Sequence, residues 1–159
     1  MNYSLPNFFA DATLQAATEL EQAYLRLPED KRHWSPPGQQ GQEGQARTAA
    51  DMVAECALMN AQTVRLLDAR VFPAAYFGGE YQSAKATLSQ REALLSQLRD
   101  NTANATERIR TISSDDLNHE VAMPWGQMTL AQVIAYPYWN MTYHTGQINY
   151  IASLLGCLP

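Results

Sequence analysis

The segment Tyr143-His144-Thr145-Gly146-Gln147-Ile148-Asn149-Tyr150, near the end of the chain, combines a helical apolar pattern with polar groups on its apolar face. Apolar residues recur every three or four positions around it, which predicts a helix with one buried face: Leu130, Val133, Ile134, Met141, Ile148, Ile151, Ala152 and Leu155. His144 falls on that face, one turn after Asn140. Buried polar groups cost free energy unless they are paired, so both side chains are expected to have partners.

Upstream of this segment, the chain predicts three more helices. Apolar residues at helical spacing occupy residues 7–27, 48–70 and 80–112, and the third of these carries the seam of an antiparallel bundle. Residues 33–46 are rich in proline, glycine and glutamine, which indicates a long loop after helix one. Residues 113–128 predict a loop with a short hairpin. The expected fold is an all-α, up-and-down-type four-helix bundle.

The last helix contains three local signals. Thr129 and Gln132 have the spacing of a capping box at its start. Pro137 lacks an amide hydrogen and disfavours helical angles at Tyr136, so we expect a kinked last helix that departs from helical geometry there. Gly146 lowers helix propensity and predicts the close approach of a neighbouring helix.

The bulk properties narrow the class of protein. A chain of 159 residues suits one domain over residues 1–159. Its net charge of −5 argues against a nucleic-acid partner, which would need a basic face. The sequence shows neither the basic and apolar regions of a signal peptide nor an apolar stretch long enough for a membrane span. We therefore expect a cytoplasmic protein that does not bind a membrane. Cys56 and Cys157 are expected to be small apolar groups without a disulfide bond.

The closing string His144-Thr145-Gly146-Gln147-Ile148-Asn149-Tyr150-Ile151, followed by Leu154-Leu155-Gly156, resembles the last helix of the DinB-like superfamily. These proteins are four-helix bundles, and many of them are metal-dependent enzymes. Supporting similarities extend over nearly the whole chain, as expected of a single DinB-like domain: Leu27-Pro28-Glu29-Asp30 with Trp34, Arg47-Thr48-Ala49-Ala50-Asp51, and Met128-Thr129-Leu130.

The resemblance implies a metal site. In the superfamily one histidine from helix two and two histidines from helix four hold the ion, and these positions fall on Glu55, Asn140 and His144 of this chain. Carboxylate and imidazole are good ligands for zinc and nickel, whereas a neutral amide oxygen is weak. A metal-free cluster, in which Glu55 pairs with His144 and Asn140 completes the hydrogen bonding, explains the same residues.

The resemblance also implies an activity. Related enzymes include metal-dependent transferases and isomerases that use a low-molecular-weight thiol, so the chain is expected to act on a small-molecule substrate. Two alternatives stay open. One is a non-catalytic protein whose degenerate site binds a small molecule. The other is a helical dimerisation module, with the aromatic residues between 136 and 143 at the interface of a homodimer.

Overall fold

Five α-helices build the computed structural model, which describes residues 4–36, 46–73, 76 and 79–158. The helices are α1 (Leu5–Arg26), α2 (Ala49–Ala69), α3 (Gly79–Ala86), α4 (Arg91–Arg110) and α5 (Leu130–Leu154). Single turns of 3₁₀-helix follow α1 at Glu29–Lys31 and α4 at Ser114–Asp116. A hairpin of β1 (Glu120–Met123) and β2 (Gly126–Thr129) precedes α5.

The four long helices confirm the all-α four-helix bundle. Helices α1 and α2 each pack mainly against α4 and α5, so α1 and α2 occupy opposite corners. The apolar faces that predicted the helices fill the interior, which contains the fully buried side chains of Leu20, Leu98, Ile134, Met141 and Ile148. Burial of these faces is the main source of stability for such a fold. Among the described residues, no helix is long and apolar enough to cross a membrane.

Helix α2 begins with a capping box. The Thr48 hydroxyl accepts from the Asp51 amide at 3.1 Å, and the Asp51 carboxylate accepts from the Thr48 amide at 3.2 Å. Asp51 also pairs with Lys85 of α3 at 2.5 Å. Burial alone would raise the pKa of Asp51, but the bonds from Lys85 and Thr48 outweigh it and lower the pKa. The Asp51 carboxylate is therefore used in the hydrogen bonds and the ion pair that hold the start of α2 in place.

The predicted loop over residues 33–46 is described only at its flanks, because residues 37–45 lie outside the described residues. The flanks are non-helical, as expected. The Ala50 amide donates to the Arg32 carbonyl at 3.1 Å, which holds the start of α2 beside the end of the α1 connection.

The single long helix predicted over residues 80–112 is wrong, because the segment forms α3 and α4. The Thr87 hydroxyl donates to the Ala84 carbonyl at 2.7 Å and ends α3, while Gln90 is extended ahead of α4. Leu88 lies in this break and is buried. Leu88 is seven residues before Leu95. The helical spacing of the apolar residues therefore continues across the turn between α3 and α4, where the backbone is not helical.

The hairpin and the start of α5 match the sequence prediction. The strands pair from Glu120 opposite Thr129 to Met123 opposite Gly126. Gly126 has a φ of 134°, which a residue with a Cβ rarely adopts. The Thr129–Gln132 capping box is present in full and begins α5 immediately after the second strand.

Helix α5 continues through Pro137, and Tyr136 stays helical. The predicted departure of Tyr136 from helical geometry is therefore wrong. Pro137 is itself buried, between Val133 and Met141 on the same face. Packing of that face against the bundle outweighs the local preference of a residue that precedes proline. The degree of bending at Pro137 stays a prediction.

Candidate functional site

Three predicted site residues meet in one place. Glu55 from α2, and Asn140 and His144 from α5, line an open pocket of about 410 Å³ between the two helices, which we call the site pocket. His144 and Asn140 are each 3% exposed. The inward faces of two packed helices bring them together, since residues four apart on α5 point the same way. Metal binding at these residues stays a prediction.

The pair formed by Glu55 and His144 is the chemical centre of the pocket. The Glu55 Oε1 atom lies 3.5 Å from His144 Nε2, and the Glu55 side chain is 16% exposed. Burial lowers the pKa of His144, the hydrogen bond with Gln147 opposes this, and the charge of Arg47 adds to the lowering. The ring is therefore neutral at pH 7 and carries one N–H.

Gln147 is the hydrogen-bond partner of one ring nitrogen of His144. His144 Nδ1 lies 2.6 Å from the Gln147 Oε1 atom, which can only accept. The Gln147 amide can be turned over, so two arrangements satisfy this contact. With Oε1 facing the ring, the hydrogen lies on Nδ1 and the lone pair on Nε2 faces Glu55; with the amide nitrogen facing the ring, the Nε2–H group points to Glu55. In the first arrangement Glu55 Oε1 and His144 Nε2 are both acceptors, a contact that a positively charged group between them would stabilise.

Arg47 was missed by the sequence analysis. Its guanidinium forms an ion pair with the second oxygen of Glu55, and the Arg47 side chain is 54% exposed. Arg47 precedes α2, in a stretch without periodicity, so the apolar pattern carried no information on where its side chain lies. The pocket therefore contains one carboxylate balanced by one guanidinium.

Asn140 has a different neighbour. Its Nδ2 atom lies 3.6 Å from the Sγ atom of Cys56, which is buried. Burial strongly raises the pKa of the Cys56 thiol, so this sulfur stays protonated at neutral pH and is a poor nucleophile. Cys56 and Cys157 are both free, as predicted.

Aromatic rings form the outer wall of the site pocket. Tyr136, Trp139 and Tyr143 line it, and the rings of Trp139 and Tyr143 stack at 5.6 Å with an interplanar angle of 11°. These last two side chains are 54% and 52% exposed. Such rings provide apolar contact for a ligand that enters between them.

Comparison with known proteins gives two solved structures of the same shape. A DinB-like protein, YjoA from Bacillus subtilis, has a TM-score of 0.64 and 10% identity, covering 94% of this chain and 93% of that one. The colibactin self-resistance protein ClbS, in complex with a dsDNA, has a TM-score of 0.70 and 16% identity, covering 97% of each chain. The chain has the DinB-like fold. No protein-family model matches it, and no curated protein matches its sequence significantly.

The DinB-like fold corrects the prediction about nucleic acid. We had excluded a nucleic-acid partner on the net charge of −5, and ClbS, which shares this fold, is in complex with dsDNA. The exclusion is therefore wrong. Net charge sums over the whole surface, whereas contacts with phosphates depend on the local arrangement of basic groups.

The donor set departs from the histidines expected of a DinB-like metal site. Within the described part of the chain, no cluster of three or more His, Cys, Asp or Glu side chains could hold an ion. Glu55 and His144 are the two strong donors in the pocket, and Asn140 offers an amide oxygen. Their separation still suits a shared ion, because two ligands about 2.0–2.1 Å from a tetrahedral ion lie about 3.4 Å apart. The residues therefore fit an ion held by two strong donors and one weak donor.

Proposed function

We propose that this DinB-like protein is an enzyme that acts on a small molecule in the site pocket, with a divalent cation, zinc or nickel, held by Glu55 and His144. The observation that carries the proposal is that Glu55 Oε1 and His144 Nε2, two atoms able to coordinate a metal ion, lie 3.5 Å apart in the site pocket. A cation between them would accept a lone pair from each atom. Asn140 would be the third, weaker ligand through its amide oxygen.

Each residue of the site has a part in this proposal. With its Oε1 atom facing the ring, Gln147 would keep the hydrogen of His144 on Nδ1 and leave Nε2 free to coordinate, which is the usual role of an outer hydrogen-bond partner. Tyr136 and Trp139, which line the pocket, would contact the apolar part of a bound substrate. A bound cation would polarise the substrate or stabilise the thiolate of a low-molecular-weight thiol. The Glu55 charge would reduce its Lewis acidity relative to a site of three neutral histidines.

A second candidate is a non-catalytic protein with a degenerate site that binds a small molecule. The ion pair between Arg47 and Glu55 favours it, because the guanidinium already neutralises the carboxylate. A cation and Arg47 would share one negative charge, which weakens metal binding. The stacked, exposed rings of Trp139 and Tyr143 would suit a homodimer interface equally well.

Calorimetric titration of zinc and nickel decides between the candidates. The protein is purified without chelators and after removal of any histidine tag. We expect the native chain to bind one equivalent, His144→Ala to lose binding, and the double variant Glu55→His with Asn140→His to bind more tightly. Equal binding by the native chain and His144→Ala would place the site elsewhere. If only the double variant binds, the degenerate-site candidate is correct.

A further inference from the structure

A second chamber opens beside the site pocket, with a volume of about 480 Å³. The two share Ala46, Arg47, Met52, Tyr143 and Gln147 as lining residues, so they are adjacent. The walls of the second chamber are mainly apolar, and we call it the apolar chamber. Its remaining lining residues are Pro36, Gly146, Tyr150 and Ile151. Both volumes are in the range of small-molecule sites.

Gly146 lies in the floor of the apolar chamber, in the middle of α5. The sequence predicted that this glycine permits a close approach of helices, and that prediction is wrong. A Cβ atom built on Gly146 would meet no atom of the described residues within 4 Å. Its φ is not positive either, so the backbone does not require glycine.

Glycine inside a helix costs about 1 kcal/mol relative to alanine, and neither packing nor backbone geometry at Gly146 accounts for it. With respect to the described residues, the missing side chain leaves space above this exposed position of the helix, at the apolar chamber. A larger residue there would occupy volume that a ligand could fill.

The charge of Arg47 indicates which chemical group the other end of the ligand would carry. Arg47 is the one charged side chain among the described residues that line the apolar chamber, and it stands where the two pockets join. Its side chain is about half exposed, so a ligand can reach the guanidinium. A cation at Glu55 would take up the carboxylate charge that Arg47 now shares.

We propose that the site takes an anionic amphiphile, whose charged head pairs with Arg47 and whose apolar tail lies in the apolar chamber over Gly146, between Met52 and Ile151. This inference rests on the proposed small-molecule site and names the class of ligand. A carboxylate head pairs with a guanidinium through two hydrogen bonds. The head then lies beside Glu55 and His144.

The test is calorimetric titration of decanoate below its micellar concentration, with decylammonium as the matched cationic probe. The variants are Gly146→Leu, which fills the chamber, and Arg47→Gln. Thr142→Leu is the control, because it adds the same side chain to an exposed position of α5 that lines neither chamber. Circular dichroism and thermal unfolding verify that each variant folds.

We expect the native chain to bind decanoate and to prefer it to decylammonium. Gly146→Leu should weaken decanoate binding about tenfold or more, comparable with losing roughly two buried methylenes. Gly146→Ala should weaken it less, Thr142→Leu should leave it unchanged, and Arg47→Gln should abolish the preference for decanoate. Undetectable native binding, equal binding by the native chain and Gly146→Leu, or a preference for decylammonium would each overturn the inference.

Zinc titration of the same variants separates this inference from the proposed function. Gly146→Leu alters neither Glu55 nor His144, so it should retain the native affinity for zinc. If decanoate binding follows the expected pattern while the native chain fails to bind zinc, the cation proposal alone is wrong. If zinc binds as expected and Gly146→Leu leaves decanoate binding unchanged, the ligand class alone is wrong.

Discussion

The bundle contains two polar layers, and they differ in how completely their hydrogen bonds are made. In the closed layer, Asn60 donates to the Thr102 hydroxyl at 2.9 Å, Thr102 donates to the Leu98 carbonyl at 2.6 Å, and Asn101 donates to the Ala57 carbonyl at 2.8 Å. In the site layer, Glu55 Oε1 lies 3.5 Å from His144 Nε2 beside an open pocket, and the other Glu55 oxygen pairs with Arg47 at the edge of the solvent.

The difference separates a structural role from a functional one. Polar groups that satisfy one another join α2 to α4 and specify how the helices pack. Asn140 and His144 of the site layer are as buried as the closed layer, whereas Glu55 is only partly buried and pairs with the half-exposed Arg47. Under the proposed function, a cation that is not part of the chain completes this layer. Buried polar residues at helical spacing are therefore not evidence of a site until their partners are known.

The largest expected effect on stability concerns the closed layer. Asn60→Ala removes the bond to Thr102 and leaves a cavity, so the free energy of unfolding should fall by about 2–3 kcal/mol. Urea unfolding measures it, with the exposed Asn104→Ala as control, which should change it by less than about 0.5 kcal/mol. Zinc affinity should be unchanged. A loss in Asn60→Ala no larger than in the control would remove the distinction between the layers.

Glu55→Gln in the site layer should have the opposite pattern of effects, with a small change in stability and a large change in zinc affinity. Stability should change by less than about 1 kcal/mol, because the ion pair with the half-exposed Arg47 contributes little. Zinc affinity should fall by about tenfold or more, since a neutral amide replaces the charged ligand. Calorimetry and urea unfolding on the same preparation give both values. A large loss of stability with unchanged zinc binding would assign Glu55 to the structure instead.

Gly146→Ala should stabilise the protein by about 0.5–1 kcal/mol. The added methyl group meets open space, so the gain in helix propensity is not offset by a clash. Thermal unfolding measures it, and Ser153→Ala, at an exposed position of α5, calibrates the effect of alanine alone. A destabilised variant would mean that a neighbouring group does pack against Gly146.

The smallest effect is the contribution of His144 to the pH dependence of stability. Its pKa is lowered in the folded state, mainly by burial, so the unfolded chain binds a proton more readily. Stability should therefore decrease as pH falls below about 6.5, the unfolded value, until the folded pKa is passed. Urea unfolding between pH 5 and pH 8 should show a shallower decrease in His144→Gln. An identical pH profile in both proteins would contradict the lowered pKa.

The sequence predicted the four long helices because their apolar residues repeat with the period of a helix. The break between α3 and α4 was not predictable in this way, since buried Leu88 keeps the spacing to Leu95 across a turn. The capping boxes at Thr48 and Thr129 were readable, because their partners are only three residues away.

The site was predictable only in part. Asn140 and His144 were identified as inward polar groups on one helix, and the resemblance supplied Glu55. Arg47 was not identified from the sequence. The position of a side chain that precedes a helix depends on tertiary contacts, which the periodicity of the apolar residues does not describe. Gly146 was identified as a glycine inside a helix, but the neighbouring helix predicted to approach it is not there among the described residues. A sequence does not distinguish a glycine packed against a helix from one that faces open space.

The central claim is that Glu55 and His144 complete their geometry with a divalent cation, and anomalous diffraction at the zinc edge tests it most directly. Crystals of the native chain and of His144→Ala are soaked in zinc. We predict one strong peak about 2.0–2.2 Å from His144 Nε2 and from a Glu55 oxygen, absent in the variant. Native crystals with no peak between these two side chains, or with equal peaks in both proteins, would contradict the claim.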